Sequence, residues 1–349
     1  MQSVSADIAN KAKEKKTMMN IDSLTKKFSQ IVSSHELGEG KYARWLWQDA
    51  KGKRELGNNE YGCADAANIL YTIGEFPTGQ KRADCLNALL DLQNPETGLF
   101  TECTHHPIHT TAHCIAAIEL FDARPRYPLT ALKQYHTKEG LYGLLNSIWG
   151  EGKDPWPHSH QGAGIYAASV LAGEVDLQWQ RDYFQWIWDN TDPKYGMSKT
   201  GEIDRKLYPV ANHMCGWFHY TFNTEYGRQP MRYPDKMIDT NLHMYNTKTV
   251  GGNFGRWVGF REIDWVFTMN RAMRQTTHRF EEGRQALLDF GRDYVAWLDS
   301  LDPEKDDGLN DLHMLFGASC AVAELQRALP GEFESTVPWK LVLDRRPFI

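Results

Sequence analysis

The sequence predicts an all-α protein in which six helical hairpins close into an α/α toroid. A pattern of helix, turn and second helix recurs six times along the 349 residues. The second helices are centred near positions 67, 115, 166, 217, 266 and 318, so the successive steps are 48, 51, 51, 49 and 52 residues. A near-constant period of this length is typical of repeat architectures.

The two helices of each hairpin differ in composition, which favours two concentric rings. The second helices are rich in small apolar residues and carry little charge, as in CADAANILYTIG over 63–74. The first helices are amphipathic, as in FEEGRQALLDFGRDYVAW over 280–297. A helix that is apolar on every side is buried, whereas an amphipathic helix has one face in solvent. The sequence therefore predicts an inner and an outer ring of helices.

Each hairpin contains turn signals, because Gly, Pro or Asp ends the first helix. In the second hairpin Pro95 and Gly98 break the first helix, and the next helix is predicted to start near Thr110. The fifth hairpin is the least regular, with a first helix near 237–245. The first helix of the first hairpin is expected within 41–62. The six hairpins occupy residues 41–74, 89–121, 141–173, 184–223, 237–273 and 294–329.

The two ends of the chain are predicted to lie outside the rings. Residues 1–20, which include the charged run KAKEKK, are expected to form a flexible or docked N-terminal arm. Residues 21–349 are expected to form a single toroid domain. The last residues, PWKLVLDRRPFI over 338–349, are expected to pack across the outside of that domain.

Composition argues against several classes of protein. The net charge of −6 gives no basic surface for nucleic acid. No apolar run approaches the ~20 residues that cross a bilayer, and the first residues lack the apolar core of a signal peptide. The six cysteines include no CxxC pair and are predicted to be free thiols. We therefore expect a cytoplasmic protein with no nucleic-acid or membrane partner, whose oligomeric state the sequence leaves open.

Two short motifs resemble those of known toroidal families. The segment QNPETGLF (93–100) resembles the Gln–Gly–aromatic repeat of terpenoid cyclases and protein prenyltransferases. The six-hairpin layout over residues 40–330 equally resembles the six-hairpin glycosidases and related lyases. The stretch NNEY (58–61) is similar to the Asn-Asn-His-x-Tyr stretch of toroidal alginate-type lyases, with Glu60 where that pattern has His. These resemblances imply the toroid fold, which hosts more than one chemistry.

The candidate site lies where the inner helices begin. In a toroid these helices run in one direction, so their N-termini and the preceding loops meet at one end. Helix N-termini also present unpaired N–H groups and the positive end of the helix dipole. The candidate catalytic residues are His109, His160, Asp65, Asp264 and Asp311. The candidate substrate-binding residues are Tyr61, His105, His106, Trp156, His158, His213, Arg256, Arg261, Glu262 and His313.

Two kinds of chemistry are open to this set. Paired carboxylates on opposite walls act as general acid and base on a sugar. A histidine beside a carboxylate instead abstracts or donates a proton near neutral pH, and His109 and His160 are the first candidates. Nearby helix N-termini are expected to lower the pKa of these histidines, because a positive dipole end disfavours the imidazolium. A structural alternative also applies, because Asp and Asn are favoured N-caps whatever the function.

No metal and no cofactor are predicted. His109 and His113 have the i,i+4 spacing that holds zinc on one helix face. However, the HExxH signature is absent because residues 110–112 are Thr-Thr-Ala. No Asp-x-Cys pair stands at a loop that would match the zinc site of protein prenyltransferases, and the Asp-rich motifs of terpenoid cyclases are also absent.

The favoured function is that of a carbohydrate-active enzyme, either a glycoside hydrolase or a lyase or epimerase that abstracts a proton. Its cavity would be lined by His, Asp and Trp, and its substrate would be a small molecule or an oligosaccharide. One alternative is an enzyme like the terpenoid cyclases or prenyltransferases, whose cavity would be mostly apolar and aromatic. A second alternative is a non-catalytic toroid that binds a partner on its rim.

Overall fold

A computed structural model describes residues 18–349 of the chain, and within that range the protein is mainly α-helical. The all-α prediction is therefore confirmed. Residues 1–17 of the predicted arm lie outside the described residues. None of the helices in the described range is both long and apolar enough to cross a membrane.

The helices of the described range form two alternating sets, which we call central and outer. The even-numbered helices α2 to α12 are the central helices, and the odd-numbered helices α1 to α11 are the outer helices. The bounds are α1 Asp22–Ser34, α2 Glu60–Ile73, α3 Gly79–Leu90, α4 Pro107–Leu120, α5 Lys138–Ser147, α6 Pro155–Ala172, α7 Leu177–Asn190, α8 Val210–Tyr226, α9 Pro234–Asn246, α10 Arg261–Met273, α11 Phe280–Ser300, α12 Leu312–Ala328 and a short α13 Val342–Arg345.

The regular structure of residues 18–349 also includes two 3-10 helices, Thr130–Tyr135 and Ile203–Arg205, and two short strand pairs. Strand β1 (Met19–Asn20) pairs in parallel with β4 (Phe333–Glu334), which joins the beginning of the described chain to the segment after α12. Strand β2 (Glu36–Gly38) pairs antiparallel with β3 (Lys41–Tyr42).

Burial distinguishes the two sets of helices. In α4 every residue from position 108 to 118 is buried, as expected for a helix of small apolar residues with no solvent-facing side. In α1 only Leu24, Phe28, Ile31 and Val32 are buried, and they lie on one face at helical spacing. The predicted difference between small-residue and amphipathic helices therefore corresponds to a real difference in burial.

The central helices pack on one another in a cyclic order. Helix α2 packs on α4, α4 on α6, α6 on α8, α8 on α10, α10 on α12, and α12 on α2. Each outer helix packs on at least one central helix. The first and last central helices are therefore neighbours although about 250 residues separate them in the sequence.

Polar caps fix the first turns of four central helices, α2, α4, α6 and α12, whereas α8 and α10 have no side-chain cap. Asn59 accepts hydrogen bonds from the backbone N–H groups of Tyr61 and Gly62 at the start of α2. Helix α4 begins at Pro107, three residues before the predicted start, with His106 as its N-cap. Proline is well suited to the first helical position, because its missing N–H has no intrahelical partner there. The caps therefore bring polar side chains to the N-terminal ends of the helices.

The predicted helix within 41–62 is wrong. The outer helix of the first hairpin is α1, and residues 43–59 form bridges and turns between β3 and α2. Ala43 bridges to Asn58, and Trp45 bridges to Asp311 at the start of α12. The side chain of Arg44 also binds Asp311, with N···O distances of 2.9 and 3.1 Å. These long-range contacts stabilise an extended conformation that local sequence does not specify.

The prediction that the C-terminal segment packs across the outside is also wrong. Helix α13 packs on α2 and α8, and Arg346 and Phe348 are 0% exposed. The ring of Phe348 lies 5.0 Å from that of His109 and 5.8 Å from that of Phe222. Small side chains on the central helices leave room between them, and close packing of a protein interior requires that this room be filled. The C-terminal segment fills it.

A buried ion network anchors this segment near the C-terminal ends of α10 and α12. Arg271 binds both carboxylate oxygens of Glu324, at 2.8 and 2.9 Å, and Asp344 at 2.6 Å. Arg345 binds Glu119 at 2.7 Å. Bidentate pairing satisfies the desolvated charges, as buried ions require. The segment therefore enters between the helices at this end and runs toward their N-terminal end.

Replacing Phe348 tests this packing. Phe348→Ala is expected to lower the free energy of unfolding by about 3–5 kcal/mol, the range for emptying a buried phenylalanine site. Val337 lies in the same C-terminal part of the chain and is 48% exposed. Val337→Ala should therefore change the free energy by less than about 0.5 kcal/mol. Urea unfolding followed by circular dichroism measures both, and equally small losses would contradict the internal position of Phe348.

Candidate functional site

One cavity lies toward the N-terminal ends of the central helices. Its volume is about 300 Å³, and side chains from α4, α6, α8 and α12 contribute to its walls. Five of its ten lining residues are histidines. The lining residues are His105, His109, Asp154, Trp156, Pro157, His160, His219, Phe260, His313 and Ile349.

A buried carboxylate stands behind the histidines. Asp65 on α2 accepts hydrogen bonds from His113 Nε2 at 2.7 Å and from His313 Nδ1 at 3.1 Å. Burial alone raises the pKa of Asp65, but the two imidazoles outweigh it and hold that pKa below its usual range. An ionised carboxylate only accepts hydrogen bonds. Both imidazoles therefore donate to it, and the tautomer of each is fixed.

The hydroxyl of Tyr61 shares a short hydrogen bond with His109 Nδ1. The ring of Tyr61 stacks on those of His105 and His113, with centroids 4.7 and 4.9 Å apart. Burial, together with the neighbouring imidazoles of His160 and His105, lowers the pKa of His109 well below its usual value. The direction agrees with the sequence-based expectation, but burial is the largest cause. The imidazole of His109 is therefore neutral near pH 7.

Glu102 positions His105, another of the cavity histidines. Its carboxylate lies 3.0 Å from His105 Nδ1, and its side chain is 0% exposed. Burial raises the pKa of Glu102, but hydrogen bonds from His105 and Thr104 and the charge of Arg44 lower it to about 2. Arg44 also forms the ion pair with Asp311, and sequence analysis did not select Arg44 because its partner is far away in the chain.

His160 differs from the other cavity histidines in that its imidazole is uncommitted. Within residues 18–349 neither of its ring nitrogens makes a hydrogen bond. Its ring lies 4.3 Å from that of His109 and 4.1 Å from that of His219. Burial and the imidazoles of His219 and His105 lower the pKa of His160 well below its usual value. This imidazole is available to a bound molecule.

His219 is a cavity residue that sequence analysis missed. Its Nδ1 shares a hydrogen bond of 2.7 Å with the hydroxyl of Ser159. Burial lowers the pKa of His219 to about 3. The residue lies well inside α8, whereas the site was predicted from polar residues at or near the helix starts. Its sequence signal was a histidine in an otherwise apolar and aromatic helix.

Aromatic side chains form the remaining wall and the rim. Trp156 lines the cavity, and its ring lies 6.3 Å from that of Trp257. The guanidinium of Arg261 lies 4.8 Å from the centre of the Trp156 ring. Phe260, which the sequence did not single out, packs against His313 with ring centroids 4.5 Å apart. A flat aromatic surface beside a cation is therefore present at the edge of the cavity.

Several predicted site residues serve other contacts. His106 caps α4, His158 hydrogen bonds to the backbone carbonyl of Asp154, and His213 is buried against Ser198. Arg256 forms a bidentate ion pair with Asp293 and lies outside the cavity lining. Asp311 caps α12 and binds Arg44.

The acidic candidates on α10 are buried away from the cavity lining. Glu262 accepts one hydrogen bond, from the backbone N–H of Gly255, and burial raises the pKa of Glu262 to about 7. Neither carboxylate oxygen of Asp264 has a hydrogen-bond partner, and burial raises its pKa well above the usual value. Of the residues described, Asp154 is the only carboxylate in the lining, and it caps α6 and binds Asn212.

Two groups of residues have ligand atoms close enough together to hold a metal ion. They are His105 with His109 and His313, and Asp65 with His113 and His313. In each group the ligand atoms lie within 4.8 Å of one another. The histidines that the sequence placed in one end of the fold therefore lie at metal-binding distances, although no sequence motif indicated a metal.

Comparisons with models of protein families, with curated proteins and with solved structures find no match for this chain. The functional argument consequently depends on the geometry of the cavity.

The buried carboxyl of Glu262 predicts a pH-dependent stability. Its pKa is near 4.5 in the unfolded chain and about 7 in the folded protein, so stability falls as the pH rises through this interval. Glu262→Gln keeps an acceptor for Gly255 and cannot ionise. We expect it to raise the free energy of unfolding by about 1–3 kcal/mol at pH 8 and to have little effect near pH 4.5.

Thermal and urea unfolding across this pH range measures the effect. Glu281→Gln is the matched control, because Glu281 is exposed on α11 and its replacement should leave the pH dependence unchanged. A gain in Glu262→Gln that is the same at both pH values would contradict a raised pKa.

Proposed function

We propose that the chain is a closed α/α toroid of six hairpins, in which the central helices form the inner ring. The cyclic packing of α2, α4, α6, α8, α10 and α12 supports this architecture. The single-domain arrangement from residue 21 onward is part of the same proposal. In such a ring the cavity lies on the axis, at the end where the inner helices begin.

We further propose that the protein is a carbohydrate-active enzyme of the lyase or epimerase type, which abstracts a proton from an acidic sugar. The observation that carries the proposal is the uncommitted imidazole of His160 in the cavity, which Trp156 also lines. An imidazole kept neutral by burial is a general base, and such catalysis contributes roughly 10²–10⁴-fold in rate. An indole face is a suitable surface for a sugar ring.

The proposed step uses His160 in the cavity and Arg261 at its rim. His160 takes the proton from the carbon next to the sugar carboxylate, and the electron pair of that C–H bond moves toward the carboxyl group. In a lyase the pair then forms a carbon–carbon double bond, while the glycosidic oxygen leaves with its bonding pair and takes a proton from water. In an epimerase a water molecule delivers a proton to the opposite face, and in both cases His160 passes the abstracted proton to solvent. Arg261, at the rim beside Trp156, would bind the sugar carboxylate.

The other functions considered have less support. Hydrolysis by a pair of carboxylates needs two acids facing the substrate, whereas Asp154 alone among the described residues lines the cavity. The cavity surface is mostly apolar, as an isoprenoid cyclase requires, but five histidines and one aspartate among its ten lining residues favour a substrate with polar groups. A non-catalytic toroid gives no role to an uncommitted imidazole in a cavity.

Replacing His160 tests the function. The full-length protein is incubated in D2O with uronate-containing oligosaccharides, and deuterium incorporation and double-bond formation are followed by NMR and ultraviolet absorbance. His160→Gln should retain its melting temperature and lose about 10²–10⁴-fold in turnover. His243→Gln is the control, because His243 is exposed on α9 and should leave turnover unchanged.

Three outcomes would contradict the proposal. Turnover that persists in His160→Gln would exclude this residue as the base. Hydrolysis without deuterium incorporation would favour a hydrolase. Absence of turnover on every uronate tested, with binding of the same sugars also absent, would favour a different substrate class or a partner-binding toroid.

A further inference from the structure

We infer that His105, His109 and His313 bind a divalent transition-metal ion, with Zn²⁺ as the expected ion. One ring nitrogen from each residue lies within 4.8 Å of the other two. The three residues come from the loop before α4, the first turn of α4 and the start of α12. Three imidazoles from separate segments therefore converge at one wall of the cavity.

The hydrogen bonds of these imidazoles leave one ring nitrogen of each residue without a protein partner. The Nδ1 atom of His105 lies 3.0 Å from Glu102, that of His313 lies 3.1 Å from Asp65, and that of His109 is bonded to Tyr61. Each Nδ1 is thus occupied, and the Nε2 atoms have no hydrogen-bond partner within residues 18–349. Metal-binding histidines are generally held in this way, by an acceptor on the ring nitrogen opposite the metal.

The electrostatics of the site suit a doubly charged cation. Two carboxylates, Asp65 and Glu102, lie one hydrogen bond behind the proposed ligands. Their negative charges would offset the charge of the ion without occupying its coordination positions, with Arg44 already neutralising part of the charge of Glu102. Imidazole nitrogens are favourable ligands for Zn²⁺ and for other late first-row metals.

The cavity would leave one coordination position open. Three protein ligands with a fourth position accessible to solvent is the arrangement of catalytic zinc sites. His160 and Trp156 line the same cavity, and the ring of His160 lies 4.3 Å from that of His109, so a bound molecule could contact both the ion and the free imidazole. The ion would then polarise a substrate oxygen while His160 handles the proton.

The second group of possible ligands is a weaker candidate. Asp65, His113 and His313 are all buried, and both oxygens of Asp65 already accept hydrogen bonds from the two imidazoles. Of this group only His313 lines the cavity. Asp65 therefore orients His313 for the first site, and a metal ion would have no path from the cavity to the second group itself.

This inference does not rest on the proposed carbohydrate substrate, because it follows from the arrangement of the imidazoles alone. It is tested on the full-length protein after treatment with a chelator and dialysis. Zn²⁺ binding is measured by isothermal titration calorimetry, and Co²⁺ is added separately as a spectroscopic probe of the ligand geometry. We expect one ion per chain and the intense visible absorption of four-coordinate Co²⁺.

Two variants address the ligand set, and two serve as controls. His105→Ala, at a partly buried position, should lose most of the Zn²⁺ affinity while retaining its melting temperature in the metal-free state. Glu102→Gln should bind Zn²⁺ about 10–100-fold more weakly, because Glu102 positions a ligand without touching the ion. His160→Gln and the exposed-residue variant His243→Gln should bind Zn²⁺ like the wild type.

The results separate this inference from the proposed function. No Zn²⁺ binding to the wild type, or equal affinity in His105→Ala, would overturn the metal site. Zn²⁺ binding that is normal in His160→Gln, together with undiminished turnover in that variant, would leave the metal site intact and contradict only the role of His160. Suppose instead that His160→Gln loses turnover and that the wild-type protein binds no metal. This combination would contradict only the metal site.

Discussion

The structure depends on the buried carboxylate of Asp65. It binds His113 from α4 and His313 from α12, so a single charged group on α2 joins three central helices that are distant in sequence. A buried ionised carboxylate is costly unless hydrogen bonds satisfy it, so both imidazoles must point at it. The orientation of His313 follows directly: its Nδ1 is committed to Asp65, and its other nitrogen is left for the cavity. The closing contact between α2 and α12 and the arrangement of the site therefore share one interaction.

Filling the centre of the helix assembly is the second constraint. The small residues that make the central helices apolar on every side also leave space between them, and the C-terminal segment occupies that space. Arg271 and Glu324 anchor it at one end, while Phe348 contacts His109 and Ile349 lines the cavity at the other. The C-terminal segment, which lies outside the central and outer helices, thus contributes Ile349 to the lining of the candidate site. The same C-terminal segment therefore fills the interior and shapes the candidate site.

The periodicity of the sequence predicted the helices well, because the local composition of a helix indicates whether it is buried. All six small-residue helices are present, and five of the predicted site residues line one cavity. The failures have a common cause. The extended segment around Arg44 and the buried C-terminal segment are stabilised by partners more than 200 residues away, such as Asp311 and Glu119, which local pattern does not specify. His219 was missed because it enters the cavity from the middle of a helix rather than from its start.

Stability alone does not account for the histidines at the cavity. An unsatisfied buried polar atom costs about 1–3 kcal/mol, and outside the cavity lining His35, His113 and His213 each bury one ring nitrogen without a hydrogen-bond partner. At His105, His109 and His313 only Nδ1 is satisfied by the protein, and at His160 neither nitrogen is. Apolar residues of similar size would fill the same volume without desolvating these nitrogens. The protein fixes one nitrogen of His105, His109 and His313 and leaves the other open to the cavity, which is the arrangement expected where a ligand completes metal coordination. His160, with neither nitrogen bonded, is open to proton transfer with a bound molecule.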